Sequence, residues 1–139
     1  AMFISPKLAA VVCLGTTLGF FMTTPVIIAL RAASHICFAL LGAVLIRKIP
    51  EIIEKPLPST VFNGGVAFVH ALAEVAVVSP FFLAGSIFKP EQLADGYVMS
   101  VLVLVGVGTF LHSLIDYTVS IMLWKPVRAA LPSLAELRE

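Results

Sequence analysis

The stretch STVFNGGVAFVHALAEVAVVSPFFLAGSI (residues 59–87) is apolar along most of its length and contains only two ionisable side chains, His70 and Glu74. About 20 apolar residues in a helix are enough to cross the hydrocarbon core of a bilayer, which is about 30 Å thick. The stretch is therefore predicted to be a membrane-spanning helix. His70 and Glu74 are four residues apart, so they lie on one face of that helix.

Three other apolar stretches are predicted to span the membrane in the same way, at about residues 8–23, 26–46 and 97–124. The chain of 139 residues is 60% hydrophobic and 12% charged, whereas soluble domains contain about 25% charged residues. We therefore predict an all-α membrane protein in which residues 1–139 form a single transmembrane domain of about four helices. The net charge is +1 and no basic face is clustered, so we expect membrane lipid and not nucleic acid as a partner.

The distribution of basic residues predicts the orientation, because cytoplasmic loops of membrane proteins carry an excess of lysine and arginine. When both ends of the chain are placed in the cytoplasm, Lys89 is the only basic residue in an external loop, and Arg31 lies within a span. The other basic residues then lie on the cytoplasmic side: Lys7, Arg47, Lys48, Lys55, Lys125, Arg128 and Arg138. The sequence thus predicts a multi-pass protein with both ends cytoplasmic. The tail from residue 126 to residue 139 is expected to fray.

Two further pairs repeat the four-residue spacing inside predicted spans, Arg31 with His35 and His112 with Asp116. Ionisable groups in a membrane are costly and usually face a cavity or a polar path. Arg31 keeps its charge and can bind a carboxylate or a phosphate through two parallel hydrogen bonds. His35 could hydrogen-bond a heteroaromatic or carboxylate ligand.

These pairs predict a small-molecule site whose candidate residues are Arg31, His35, His70, Glu74 and His112. Two alternatives stay open. Arg31 could extend to the outer membrane surface, and the histidine pairs could be ion pairs that only stabilise the bundle.

A metal site is the rival prediction, because His70, Glu74, His112 and Asp116 offer two histidines and two carboxylates on facing helices. The motifs are weak, since each occurs once and no HExxH, ExxH or CxxC accompanies them. We therefore assign no metal in the main prediction. No serine has the context of a nucleophile elbow, so nucleophilic catalysis is not predicted.

Several stretches together resemble a known family. They are AMFISP (1–6), LGTTLGFF (14–21), ALRAASHICFALLGA (29–43), HALAEV (70–75) and LVGVGTFLHSLIDY (104–117). The chain resembles, up to about Pro126, the membrane-embedded substrate-binding subunit, or S component, of bacterial energy-coupling factor (ECF) vitamin importers. Within that family it is most similar to the niacin-type subunit.

The resemblance implies a function and a set of partners. Such subunits have six membrane helices, so this sequence looks N-terminally truncated, and its four spans would match family helices three to six. A niacin-type subunit in the bacterial cell membrane would capture the vitamin near the extracellular side. A transmembrane coupling subunit and two ATPase subunits would use ATP. This subunit would itself hydrolyse nothing and need no cofactor, so the resemblance implies that it is not an enzyme. We expect Arg31 to bind the vitamin carboxylate, His35 and Glu74 to contact or support the ring, and His70 and His112 to contribute less.

Overall fold

The computed structural model describes residues 1–131, and within this range the chain is helical with no strand. Four long helices carry the fold: α1 (Pro6–Thr23), α2 (Val26–Lys48), α4 (Pro56–Leu83) and α6 (Val98–Ala130). Two short helices connect them, α3 (Glu51–Glu54) and α5 (Pro90–Ala94). Each long helix is long and apolar enough to cross a membrane. The predicted all-α fold with about four spanning helices is confirmed.

The long helices pack in chain order, α1 on α2, α2 on α4 and α4 on α6, and neighbours run in opposite directions. One end of the bundle, called here the α3 end, has an aromatic core in which Phe3 contacts Tyr117 and Trp124. The opposite end, called the α5 end, has a smaller core around Val78 and Val101. The two cores fix the helix ends and leave the middle of the bundle to polar side chains.

Helix α4 ends at Leu83, several residues before the predicted end near residue 87, because a Schellman motif stops it. The Ser86 N–H donates to the Phe81 carbonyl at 3.1 Å, and the Gly85 N–H donates to the Phe82 carbonyl at 3.0 Å. Gly85 adopts a positive φ of 63°, which costs glycine little. The chain therefore leaves the helix at this point and continues as a loop at the α5 end.

Helix α6 continues to Ala130, beyond the predicted end near residue 124. Trp124 packs on Phe3 with ring centroids 5.8 Å apart, and Arg128 lies 3.8 Å from Glu54. These contacts hold the last turns, so the expectation that the tail frays is wrong for residues 126–130. Residues 132–139 of that tail lie outside the described part of the chain.

The first ten residues of α6, Val98–Val107, form a π-helix, and the α-helical part runs from Gly108 to Ala130. A π-helix has i→i+5 hydrogen bonds, is rare, and is frequently found at functional sites. This segment buries Ser100, Val101 and Val105 against the rest of the bundle. The sequence did not predict the π-helix, because a run of apolar residues has the same composition in either type of helix.

A line of hydrogen bonds, called here the polar seam, joins α4 to α6 along most of their contact. Its pairs are Ser59 with Tyr117 (3.1 Å), Asn63 with the Leu114 carbonyl (3.1 Å), His70 with Ser113 (3.2 Å), Glu74 with Thr109 (2.7 Å) and, just before α6, Ser79 with Tyr97 (2.8 Å). Lipid tails are as apolar as leucine, so helices in a membrane associate through close packing and hydrogen bonds. The seam therefore fixes which face of α6 meets α4.

Gly106 provides a test of the close approach between the π-helix and α4. A Cβ atom at this position would lie 3.1 Å from Cγ2 of Val75, whereas a Cβ atom at Gly108 would meet nothing within 4 Å. We expect Gly106→Val to lower the free energy of unfolding by about 1–3 kcal/mol through overpacking. The matched change Gly108→Val should cost clearly less. Unfolding of both variants in mixed detergent micelles measures the difference, and equal losses would contradict the close approach.

Candidate functional site

The carboxylate of Glu74 lies at the centre of the bundle and joins three helices. Only 4% of the residue is exposed. Its Oε2 atom accepts hydrogen bonds from Arg31 Nη2 (2.6 Å) and Nε (3.0 Å) on α2, and from Thr109 Oγ1 (2.7 Å) on α6. A buried carboxylate needs such partners, because an unpaired charge in a low-dielectric interior is very costly.

The second oxygen of Glu74 faces two histidines. Oε1 lies 3.3 Å from His35 Nε2 and 3.5 Å from His70 Nε2. The two imidazole rings meet edge to face, with centroids 4.5 Å apart, and Phe38 packs on the His70 ring at 4.3 Å. His70 Nδ1 lies 3.2 Å from Ser113 Oγ, which fixes the ring so that Nε2 points toward Glu74. His35 and His70 thus complete a cluster around one carboxylate.

Arg31 keeps part of its hydrogen-bonding capacity, although Glu74 binds it. The guanidinium has two edges that can bind an oxyanion, and Glu74 contacts the edge formed by Nε and Nη2. The edge formed by Nη1 and Nη2 is not used by Glu74, and the side chain is 38% exposed. A second carboxylate could therefore bind Arg31 without displacing the first.

The exposed part of Arg31 lines a hollow of about 240 Å³ at the α5 end, called the α5-end hollow. Its lining combines apolar side chains with the polar groups of Arg31, Gln92 and Ser100, and it comes from α2, α4, α5, α6 and the loop before α5: Ile27, Arg31, Val78, Ile87, Phe88, Gln92, Ser100, Leu104 and Val105. Drug-sized ligands occupy pockets of about 300–1,000 Å³. The α5-end hollow therefore suits a smaller molecule, such as one with a single ring.

The loop between α4 and α5 closes one side of this hollow. Ile87 has a φ of 77°, which is rare for a β-branched residue and indicates local strain. The next residue, Phe88, packs edge to face on Phe82 with centroids 5.1 Å apart. Ser100 Oγ donates to the Gln92 carbonyl at 2.6 Å and ties α5 to the π-helix. The lining of the hollow is thus held by aromatic and hydrogen-bonded contacts.

Two further hollows continue along the bundle. A central hollow of about 360 Å³ shares Arg31 and Leu104 with the α5-end hollow. An α3-end hollow of about 510 Å³ shares His35, His70 and His112 with the central one. The polar cluster therefore lies where the hollows meet, as expected for ionisable groups in a membrane protein.

His112 and Asp116 do not join this cluster. His112 Nε2 lies 2.9 Å from Asp116 Oδ2, and their side chains are 65% and 59% exposed. His112 lines two of the hollows but makes no hydrogen bond to Glu74. The predicted metal quartet of His70, Glu74, His112 and Asp116 is therefore not assembled among residues 1–131, where the converging group is His35, His70 and Glu74.

Thr109 and Ser113 are visible in the sequence as neutral polar groups in the last span, but they are not among the candidate site residues predicted from it. Both are buried on α6 and donate to or accept from the polar cluster. With Tyr117 they form a series at four-residue spacing, which is the signal that could have identified the face of α6 turned toward α4. Phe88 and Gln92 were also missed, because their place beside Arg31 depends on the fold of a loop.

The pair of Arg31 and Glu74 should contribute strongly to stability. We expect Glu74→Gln to lower the free energy of unfolding by about 2–3 kcal/mol, less than the 3–5 kcal/mol for a fully buried pair, because Arg31 is partly exposed. The double variant Arg31→Gln/Glu74→Gln should show a favourable coupling of about 0.5–3 kcal/mol relative to the sum of the single changes. Unfolding in mixed micelles measures this cycle.

Glu54→Gln is the matched control for this cycle, because Glu54 contacts Arg128 at 3.8 Å and its side chain is 52% exposed. An exposed pair contributes about 0–1 kcal/mol. If Glu74→Gln costs no more than Glu54→Gln, the central role of the Glu74 carboxylate is wrong.

Comparison with known proteins gives a relative for nearly the whole chain. It is 35% identical over 133 residues, or 95% of this chain, to the niacin transporter NiaX of Lactococcus lactis subsp. cremoris (strain MG1363), and it spans 58% of the length of that protein. No protein-family model and no solved structure match the chain. The relative is a transporter, in agreement with the prediction that the chain is not an enzyme. The predicted resemblance is thus confirmed: this multi-pass membrane protein is related to a niacin transporter.

Proposed function

We propose that this chain captures niacin for an ECF-type importer and that the vitamin binds in the α5-end hollow. One observation carries the proposal: Glu74 holds the guanidinium of Arg31 by one edge, while the other edge is left for an anion beside a small hollow that has both polar and apolar lining residues. Niacin in its acid form is a pyridine ring with one carboxylate. The relative named as a niacin transporter supports this choice of ligand.

The chemistry of the hollow matches the two parts of such a ligand. The carboxylate would accept two parallel hydrogen bonds from Nη1 and Nη2 of Arg31, the geometry in which arginine binds carboxylates best. The ring would lie among apolar side chains that include Val78 and Phe88. Offset or edge-to-face contact with Phe88 would add about 0.5–1.5 kcal/mol beyond burial of area.

Glu74 and His35 act on the ligand through Arg31 in this proposal. Glu74 bonds the guanidinium directly, and His35 lies 3.3 Å from the same carboxylate. Fixing Arg31 in advance reduces the entropy lost when the ligand binds. His70 supports Glu74 from the other side, and His112 lies at the edge of the central hollow, where it contributes least.

We further propose that the protein lies in the bacterial cell membrane with both ends cytoplasmic and the α5 end outside. The α3 end carries most of the basic residues: Lys7, Arg47, Lys48, Lys55, Lys125 and Arg128. Lys89 stands at the α5 end. Such a bias favours the α3 end on the cytoplasmic side. The α5-end hollow would then open toward the source of the vitamin.

The proposed partners are a transmembrane coupling subunit and two ATPase subunits, which would use ATP. Capture of an unmodified vitamin involves no bond breaking, so we propose no catalytic cofactor in this chain. Helix α1 offers a surface for other membrane helices, because Ala9 is its only buried residue. Gly15 and Gly19 on α1 have open space where a Cβ atom would lie and form a GxxxG pattern.

The ligand proposal predicts a loss of selectivity when Arg31 changes. Arg31→Gln should weaken nicotinate binding by about 10- to 100-fold, because a hydrogen bond to a charged group contributes about 1.5–3 kcal/mol. Binding of nicotinamide, which has no negative charge, should fall by much less. Arg31→Lys keeps a charge for Glu74 but loses the planar fork, so it should also favour nicotinamide relative to wild type. Titration calorimetry in detergent measures both ligands.

Lys89→Gln is the matched control, because it removes an exposed positive charge from the same end of the bundle. It should change the affinity for nicotinate by less than about threefold, since exposed charges are screened by salt. Equal losses of nicotinate and nicotinamide binding in Arg31→Gln would remove Arg31 from contact with the carboxylate. If the unaltered chain binds neither compound, the niacin proposal is wrong.

A further inference from the structure

We propose that His35, His70 and Glu74 form a binding site for one divalent transition-metal ion of the zinc type. The site lies on the Oε1 side of Glu74, away from the edge of Arg31 that faces the α5-end hollow. It differs from the metal quartet predicted from the sequence, because His35 replaces His112 and Asp116. It is independent of which vitamin the chain binds.

Two of the three distances between donor atoms, both measured from Glu74 Oε1, match those between metal ligands. In a tetrahedral zinc site with bonds of about 2.0–2.1 Å, neighbouring donors lie about 3.3 Å apart. Glu74 Oε1 lies 3.3 Å from His35 Nε2 and 3.5 Å from His70 Nε2. One possible ligand atom from each of the three residues lies within 4.8 Å of the other two. An ion could therefore bind with small side-chain movements.

His70 provides an independent observation that points to a ligand. The residue is 4% exposed, and its Nε2 atom is buried without a hydrogen-bond partner in the described chain. Buried polar atoms are nearly always satisfied, so an orphan of this kind calls for an explanation. The 3.5 Å separation from Glu74 Oε1 is too long for a good hydrogen bond. A metal ion between the two atoms would satisfy both.

The surroundings of the three residues are those of a metal site. A histidine ligand usually hydrogen-bonds through its other ring nitrogen, and His70 Nδ1 lies 3.2 Å from Ser113 Oγ. Two imidazoles and one carboxylate favour zinc, iron, copper or nickel over magnesium or calcium. The central hollow borders all three residues, so a water molecule or a ligand atom could complete the coordination.

The positive charge of Arg31 does not prevent a metal ion from binding to Glu74. Arg31 and Thr109 bond Oε2 of Glu74, while the ion would bind Oε1, so the carboxylate lies between the two positive charges. Binding would still leave an excess of positive charge in the cluster, because the histidine ligands are neutral. That excess favours an anion in the adjoining hollows.

The test uses the full 139-residue chain in detergent micelles, stripped with a chelator and then titrated with Zn²⁺ alone. Cys13 and Cys37 are changed to alanine in every sample, because thiolates also bind zinc. The three histidines of the chain allow a matched set of variants, His35→Gln, His70→Gln and His112→Gln. Glutamine keeps a polar side chain of similar size but is a poor zinc ligand. Circular dichroism and thermal melting check that each variant is folded.

We expect one Zn²⁺ per chain and a loss of affinity of at least about 100-fold in His35→Gln and His70→Gln, with less than about threefold change in His112→Gln. Titration with Co²⁺ should give the visible absorption of a tetrahedral complex, which His35→Gln abolishes. Absence of stoichiometric binding overturns the proposal. So does unchanged affinity in a folded His35→Gln variant, and a loss in His112→Gln would assign the metal to the sequence-predicted quartet instead.

Discussion

The ion pair between Glu74 and Arg31 is the constraint on which the rest of the bundle depends. A charge inside a membrane is tolerated only with a partner or an aqueous cavity. Glu74 is buried on α4, and its partners come from both neighbouring helices, Arg31 on α2 and Thr109 on α6. Any rotation of one helix would leave the carboxylate short of partners. The pair therefore specifies the relative rotation of three helices, which packing of similar apolar side chains would specify poorly.

On either side of this pair, the two ends of the bundle are packed by different kinds of residues. The α3 end is filled by large side chains such as Phe3, Tyr117 and Trp124. At the α5 end, the π-helix approaches α4 through Gly106, and the loop after Leu83 carries Phe88 to the hollow. The aromatic end stabilises the bundle, while the end built from a π-helix and a loop is the one where the proposed function places the ligand.

The sequence predicted what depends on spacing along a single helix and failed where partners came from elsewhere. Apolar runs gave the four spans, and the spacing of Arg31 with His35 and of His70 with Glu74 gave two faces that do meet. On α6, the spacing of His112 with Asp116 marks one face, whereas Thr109 and Ser113 lie on the face that contacts the cluster. Small hydroxyl residues let helices approach closely and bond across the contact, whereas the larger pair stays at an exposed surface. Which face of α6 is buried depends on packing against α4 and on the preceding π-helix. Neither can be predicted from composition.

The two oxygens of Glu74 give the site two separable roles. Oε2 holds Arg31 and, in the proposed function, would orient it toward an anion in the α5-end hollow, while Oε1 faces His35 and His70. Before a ligand arrives, Arg31 and Glu74 together are neutral, which makes the empty site less costly in a membrane than a lone guanidinium. A bound carboxylate then adds a negative charge that the pair alone does not balance. The divalent ion proposed on the Oε1 side of Glu74, between His35 and His70, would supply a positive charge that balances it.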